Sequence, residues 1–186
     1  MKRLSSVIIL LSLSTFISEP SQGQTSRLSA GLELDVLPYI TGGYYGGAWI
    51  GKSHLRGRLL IARVYKPSFI VPSGFTNNTV MAYALVGDYF LKDDWNGWWI
   101  SGGMVLWKST IQSDLQLSTV SYDNILLHGS VGHNWKLGRQ LYFSPWAGMN
   151  IRVGGAQTVS VDGASFDTPI INPEASIKIG WYFPLK

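Results

Sequence analysis

The sequence predicts an all-β fold, an eight-stranded antiparallel up-and-down transmembrane β-barrel. Only 14% of the 186 residues are charged, whereas soluble domains average about 25%. Beyond residue 27 the chain divides into segments of about ten residues in which apolar and polar side chains alternate, as tilted membrane strands require. No segment after Ile17 is apolar enough to form a transmembrane helix.

The first 23 residues are predicted to be an export signal. A basic start is followed by an apolar stretch at 4–17 and by small residues up to Gly23. The apolar stretch is shorter than the roughly 20 residues that a helical span needs. We therefore expect cleavage after Gly23 and a barrel domain over 24–186. Because the chain has no cysteine, disulfides, a thiol nucleophile and Cys-ligated metals are excluded.

Eight segments carry the alternation, most clearly the first and the last two. The even positions from Leu28 are apolar, as are the odd positions from Leu141 and from Ile171. We see no helical pattern and no internal repeat. The predicted strands are 28–36, 44–51, 55–65, 79–91, 98–108, 125–135, 141–153 and 171–183.

The connections between these strands alternate in length, as they do in membrane barrels. The connections at 52–54, 92–97 and 136–139 are tight polar turns. The opposite end is predicted to carry one short connection at 41–43, and the long loops 66–78, 109–124 and 154–170.

The alternation would also fit a soluble barrel with an apolar interior. The polar face, however, consists mostly of Gly, Ser, Thr, Asn and Tyr, whereas a sheet facing water carries many Lys and Glu residues. We therefore expect an apolar exterior and a polar lumen. One segment breaks the pattern, because 59–62 is continuously apolar and Arg63 shares the outward parity. A β-bulge, or an arginine that extends to the outer headgroups, would explain it.

Aromatic residues cluster at both ends of the strands, which predicts belts at the two membrane interfaces. At the tight-turn end they are Tyr89, Phe90, Trp95, Trp98, Trp99, Trp135, Tyr142, Trp181, Tyr182 and Phe183. At the loop end they are Tyr39, Tyr44, Tyr45, Tyr65, Trp107 and Tyr122.

The last strand, 175–183, resembles the C-terminal assembly signal of small bacterial outer-membrane barrels, the OmpA-domain and OmpX-like class. Lys178, Gly180 and Phe183 fit that signal, although 184–186 follow the aromatic residue where many members end. The resemblance covers 28–183 and identifies no subfamily. It implies an outer-membrane location, contact with outer-membrane lipids and lipopolysaccharide, and handling by the barrel assembly machinery. It implies no activity.

Eight charged residues are expected to face the lumen, and the four acids balance the four bases. Because an eight-stranded lumen is only just wide enough for its own side chains, we expect a salt-bridged plug, with a proton or ion path as the alternative. If Tyr65 pairs with Thr79, Arg56 lies opposite Asp88. The eight residues are Glu33, Asp35, Arg56, Arg58, Asp88, Arg152, Glu174 and Lys178.

The segment His128-Gly129-Ser130 is the one candidate for catalysis. It resembles the His-x-Ser pair of outer-membrane lipid A deacylases, in which His acts as the base toward Ser. The match is partial: Val131 stands where that pattern has Asn, and Tyr142 stands where it has an acid. The alternation also turns both residues toward the lumen, away from a lipid substrate.

The sequence predicts no metal site and no cofactor, because it contains no motif for either. It predicts no nucleic-acid partner, since the basic residues are scattered. We expect a monomeric, non-enzymatic barrel whose long loops serve adhesion, ligand contact or envelope integrity. The alternatives are a lipid A-modifying enzyme that uses His128 and Ser130, and a narrow porin-like pore or ion path.

Overall fold

The computed structural model describes residues 28–115 and 118–185, so the predicted signal at 1–23 lies outside the described residues. Eight strands form a closed antiparallel barrel, which confirms the predicted fold class. No helix of these residues is long and apolar enough to cross a membrane. The barrel strands are β1 (Ser29–Asp35), β2 (Tyr44–Lys52), β3 (Leu55–Tyr65), β4 (Phe75–Phe90), β5 (Gly97–Ser113), β6 (Thr119–Leu137), β7 (Leu141–Gly155) and β10 (Ile171–Pro184). Between β7 and β10, β8 (Thr158–Val161) and β9 (Ala164–Asp167) form a separate two-stranded sheet.

The ring closes between the first and last strands. β1 pairs with β2 on one side and with β10 on the other, and every other strand pairs with its neighbours along the chain. The closing register places Leu32 opposite Trp181 and Glu33 opposite Gly180. A barrel closed in this way leaves no unpaired sheet edge, which a strand in lipid could not tolerate.

The outer surface of the barrel is apolar. Leu59, Leu85 and Met104 form one cross-strand row, and their side chains are 63%, 63% and 55% exposed. Large apolar side chains in such a continuous band are covered by lipid rather than water. The barrel therefore spans a membrane, with the tight turns at one face and the longer connections at the other.

The lumen is only partly polar, which corrects the sequence-based expectation. An apolar cluster fills the part of it that lies toward the loop end. Small side chains predominate there, because the lumen of eight strands is too narrow for larger groups on every strand. The buried members of this cluster are Tyr45, Ala62, Val80, Ala82, Ala84, Val86, Val105, Trp107 and Leu126.

The predicted aromatic belts are wrong for the residues that point inward. Successive side chains of a strand lie on opposite faces, so only about half of these rings face lipid. The outward rings at the tight-turn end are Tyr89, Trp98, Trp135, Trp181 and Phe183. The inward rings pack into a cluster, hereafter the aromatic floor, of Trp49, Phe90, Trp95, Trp99, Tyr142 and Tyr182. At the loop end Tyr45, Trp107 and Tyr122 are buried.

The loop end is more ordered than the sequence indicated. The predicted loop 109–124 is wrong, because β5 and β6 continue their ladder to Gln112 and Thr119. The predicted loop 154–170 contains a hairpin of β8 (Thr158–Val161) and β9 (Ala164–Asp167). A short helix, α1 (Val36–Ile40), follows β1, and Asp35 caps it by accepting a hydrogen bond from the Leu37 amide. A 3-10 turn, Ser68–Ile70, follows β3.

The β3–β4 register runs without interruption from the Leu55–Tyr89 pair to the Tyr65–Thr79 pair. It places Arg56 opposite Asp88, as the hairpin argument predicts. No bulge occurs at 59–62. Arg63 points outward instead, and its guanidinium lies 5.2 Å from the centre of the Tyr65 ring.

We predict that the purified protein forms no open channel. The aromatic floor fills the lumen at the tight-turn end, and eight strands leave little space beside such side chains. Planar-bilayer recordings should show a baseline without discrete conductance steps. Reproducible single-channel steps that detergent without protein does not produce would contradict this prediction.

Candidate functional site

Four of the eight predicted lumen charges meet in one cluster, hereafter the ion cluster. Asp88 accepts hydrogen bonds from Arg56 Nε at 2.6 Å and from Arg58 Nη2 at 2.8 Å. Glu33 accepts one from Arg58 Nη1 at 2.6 Å, and its second oxygen lies 3.8 Å from Arg56 Nη1. All four residues are at most 4% exposed. The two carboxylates and two guanidiniums neutralise each other, as buried charges require.

Aromatic side chains complete the hydrogen bonds of this cluster. The Tyr45 and Tyr142 hydroxyls donate to Glu33 at 3.0 and 2.8 Å. The Tyr142 oxygen accepts from Trp49 Nε1 at 3.0 Å and from Arg56 Nη1 at 3.2 Å. The aromatic floor and the ion cluster are therefore one connected hydrogen-bonded unit. Reasoning from charges alone could not identify these aromatic partners.

Two glycines make room for Glu33. Gly47 and Gly180 are its cross-strand neighbours on β2 and β10. A Cβ atom on Gly180 would lie 2.2 Å from Tyr142 Cζ, and one on Gly47 would lie 2.9 Å from Glu33 Cγ. The absence of side chains at these two positions allows Tyr142 to reach Glu33 across β10. Gly180, which the sequence assigned to the predicted assembly signal, has a packing role in the structure.

The remaining four predicted charges lie outside the ion cluster. Asp35 accepts hydrogen bonds from Ser176 and, at 2.8 Å, from Trp146 Nε1. The Lys178 ammonium lies 4.4 Å from the centre of the Trp146 ring and 4.9 Å from that of Trp99, a cation–π arrangement. Asp35 and Lys178 form no ion pair in the part of the chain that the structure describes, although they are register partners.

Arg152 and Glu174 lie farther toward the loop end. Arg152 Nη2 donates to the Thr168 carbonyl at 3.4 Å. Glu174 is hydrogen-bonded to the Asn150 side chain. Neither residue forms an ion pair with any of the other six lumen charges in the part of the chain that the structure describes. The lumen charges thus form one compact cluster and four separate, mostly hydrogen-bonded sites.

His128 and Ser130 are in contact, and both face the lumen. His128 Nε2 lies 3.0 Å from Ser130 Oγ, and His128 Nδ1 lies 2.9 Å from Asn150 Oδ1. Because an amide oxygen only accepts hydrogen bonds, the ring donates through Nδ1 to Asn150, and Nε2 can accept from Ser130 when the ring is neutral. Ser101 Oγ lies 2.6 Å from Ser130 Oγ. This is the orientation of a general base toward a hydroxyl.

The position of this His–Ser pair restricts the substrates that it could meet. Both side chains lie on the inner face of β6, whereas the neighbouring Leu127 and Val131 face lipid. The barrel wall therefore separates Ser130 from acyl chains in the membrane. The geometry does not favour the deacylase hypothesis drawn from the sequence.

A folded lobe stands at the loop end. Val161 and Phe166 of the β8–β9 hairpin pack against Ile111 of β5, and all three side chains are at most 1% exposed. Asp162, in the hairpin turn, accepts a hydrogen bond from Ser113 Oγ at 2.5 Å. The Asp162-Gly163 pair between alternating apolar residues is a strong hairpin signal. This signal in the sequence could have identified the lobe, which the loop prediction missed.

The structure defines a small membrane-spanning β-barrel with a plugged lumen and an ordered lobe. No protein-family model matches the sequence, and no curated protein matches it. The chain is similar to the N-terminal β-barrel domain of OprF from Pseudomonas aeruginosa, with a TM-score of 0.54 and 12% identity over 86% of this chain and 100% of that domain. It also matches Neisserial surface protein A, with a TM-score of 0.48 and 12% identity over 86% of this chain and 95% of the other.

The similarity to the OprF domain shows that this chain has the fold of the small bacterial outer-membrane β-barrels. It confirms the architectural resemblance drawn from the last strand. Closed transmembrane barrels of this size with an apolar outer band are proteins of outer-membrane type. The loop end is therefore the outer face, and the tight-turn end is the periplasmic face.

We predict that Asp88→Ala lowers the free energy of unfolding by about 1–3 kcal/mol, because it leaves buried donors without an acceptor. The double variant Arg56→Ala/Asp88→Ala should lose less than the sum of the two single variants. Urea unfolding of the refolded barrel measures both values.

Asp123→Ala is the matched control, because Asp123 forms an ion pair with Lys108 at 3.2 Å on the outer surface, where both side chains are more than half exposed. Its loss should cost about 0.5 kcal/mol or less. Equal losses of unfolding free energy for Asp88→Ala and Asp123→Ala would show that the ion cluster stabilises the barrel no more than an exposed ion pair does.

Proposed function

We propose that this chain is an outer-membrane barrel that carries an ordered lobe for contact with a polar macromolecule outside the cell. The lobe is the observation that supports the proposal. A barrel that only plugged the membrane would need no apolar core beyond the bilayer, yet Ile111, Val161 and Phe166 are almost fully buried there. A preorganised surface of this kind reduces the entropy lost on binding.

The exposed face of the lobe is small and polar. Thr158 and Ser160 on β8, and Ser165 and Asp167 on β9, point away from the apolar core and are exposed. Hydroxyl groups on a rigid hairpin offer hydrogen bonds without long flexible side chains. Among adhesion, ligand contact and envelope integrity, this surface favours contact with a ligand that is itself polar, such as a glycan or a glycoprotein.

We predict that Ser160→Arg/Ser165→Arg reduces the adhesion of cells that display the protein, because two bulky cations cover the polar face while the buried core residues stay in place. Adhesion to mucin-coated glass, counted after washing, measures the effect. Gln140→Arg is the control, since Gln140 is exposed at the opposite end. If cells that display the lobe variant and the wild type adhere equally, and both exceed cells without the protein, the lobe is not the contact surface.

The deacylase hypothesis predicts that lipid A loses an acyl chain in cells that carry the gene. Because Ser130 and His128 face the lumen, we predict that lipid A from cells with and without the gene carries the same acyl chains. Mass spectrometry of extracted lipid A measures the chains directly. If lipid A loses one acyl chain only in cells with the gene, and keeps it in cells with Ser130→Ala, the deacylase hypothesis is supported instead.

A further inference from the structure

A cross-strand row that contains three charged residues crosses the lipid-facing surface near the outer end of the barrel. The register places five outward residues side by side on β2 to β6, and each has its partner on the next strand. We name this set the basic row. Its members, in strand order, are Tyr44, Arg63, Met81, Lys108 and Asp123.

The basic row has an excess of positive charge. Lys108 is paired with Asp123 at 3.2 Å. Arg63 has no carboxylate partner among the residues that the structure describes, and its guanidinium lies over the Tyr65 ring. A guanidinium on the lipid-facing surface is costly unless an anion or water satisfies its donors. Arg63 can therefore bind an external anion, because no residue that the structure describes supplies a carboxylate to it.

An apolar groove lies directly below the basic row. Its volume is about 860 Å³, and it is open along most of its surface. On β2 the groove is open because Gly46 and Ala48 carry no large side chains. A Cβ atom on Gly46 would contact nothing within 4 Å. Its other walls include Leu59, Ile61, Tyr83 and Leu85. Ile61 precedes Arg63 by two residues on the same strand, so the groove begins one side-chain row below the guanidinium.

A second low strip of the outer surface lies on the tight-turn side of the Leu59–Leu85–Met104 row. Gly57, Gly87, Gly102 and Gly129 are consecutive cross-strand partners on β3 to β6. None of them has a positive φ, and a Cβ atom would meet nothing closer than 3.9 Å. Neither backbone conformation nor packing requires glycine there. The row of glycines lowers the surface below Leu59 and Leu85 instead.

We propose that this face binds one molecule of lipid A, with a phosphate on Arg63 and an acyl chain in the groove. This proposal rests on the outer-membrane location argued above. A guanidinium forms paired hydrogen bonds with phosphate oxygens, and a long apolar groove beneath it fits the acyl chains of the same molecule. The Asp123 carboxylate repels phosphate at its end of the row. The phosphate therefore approaches from the Arg63 side, and Lys108 is a secondary partner.

Native mass spectrometry of the detergent-refolded full chain, titrated with bisphosphorylated lipid A, tests the proposal. The wild type should retain one lipid per barrel. Arg63→Gln should weaken binding by about tenfold, the loss of one charge-assisted phosphate contact. Lys92→Gln, which removes an exposed cation at the opposite end, should leave binding unchanged. Gly46→Phe should also weaken binding, because the backbone has room for a Cβ atom there and the ring occupies the groove.

The choice of lipid identifies the recognised group. Dephosphorylated lipid A should bind the wild type weakly and should not respond to Arg63→Gln. Equal binding by Arg63→Gln and Lys92→Gln, or equal binding of both forms of lipid A, would overturn the site. Equal binding of phosphatidylglycerol would overturn the assignment to lipid A. Each binding measurement is made on protein whose fast migration in unheated gels shows a folded barrel. The result is independent of the adhesion assay, so the two proposals can fail separately.

Discussion

The interior of this barrel depends on the neutralisation of two carboxylates and two guanidiniums in a narrow lumen. Glu33 and Asp88 share Arg56 and Arg58, and the four groups reach each other from β1, β3 and β4. An isolated charge in such a place would cost several kcal/mol, so the positions of these strands are coupled. The glycines on either side of Glu33 and the rings of the aromatic floor follow from this requirement.

The alternation of the strands separates this interior from the surfaces that can meet other molecules. Neighbouring positions on β3 illustrate the division: Arg56 and Arg58 lie in the ion cluster, whereas Leu59 and Arg63 face lipid. A change on the outer surface therefore need not disturb the charges inside. The lobe forms a third region, since Ile111, Val161 and Phe166 make a separate apolar core at the loop end.

Periodicity was sufficient to predict eight strands, an apolar exterior and the pairing of Arg56 with Asp88, because each depends on local parity and on one hairpin. It could not reveal which side chains meet across the lumen, since Tyr142 reaches Glu33 from a strand more than a hundred residues away. It also overestimated the long loops. Polar residues such as Thr110 and Ser121 interrupt the membrane pattern, yet they continue the β5–β6 ladder as a pair. The lobe was missed although its Asp162-Gly163 turn was a readable signal.

Measuring the register between β1 and β10 tests this account most directly. That register closes the ring and places Glu33 beside Gly180 and Tyr142. The chain has no cysteine, so introduced pairs can be crosslinked without background. Leu32→Cys/Trp181→Cys should react with a short thiol crosslinker in the refolded barrel, because these residues are register partners. Leu32→Cys/Ile177→Cys should not, since four residues along a strand span roughly 13 Å. Equal reaction of both pairs, or reaction of the second pair alone, would contradict the closure described above.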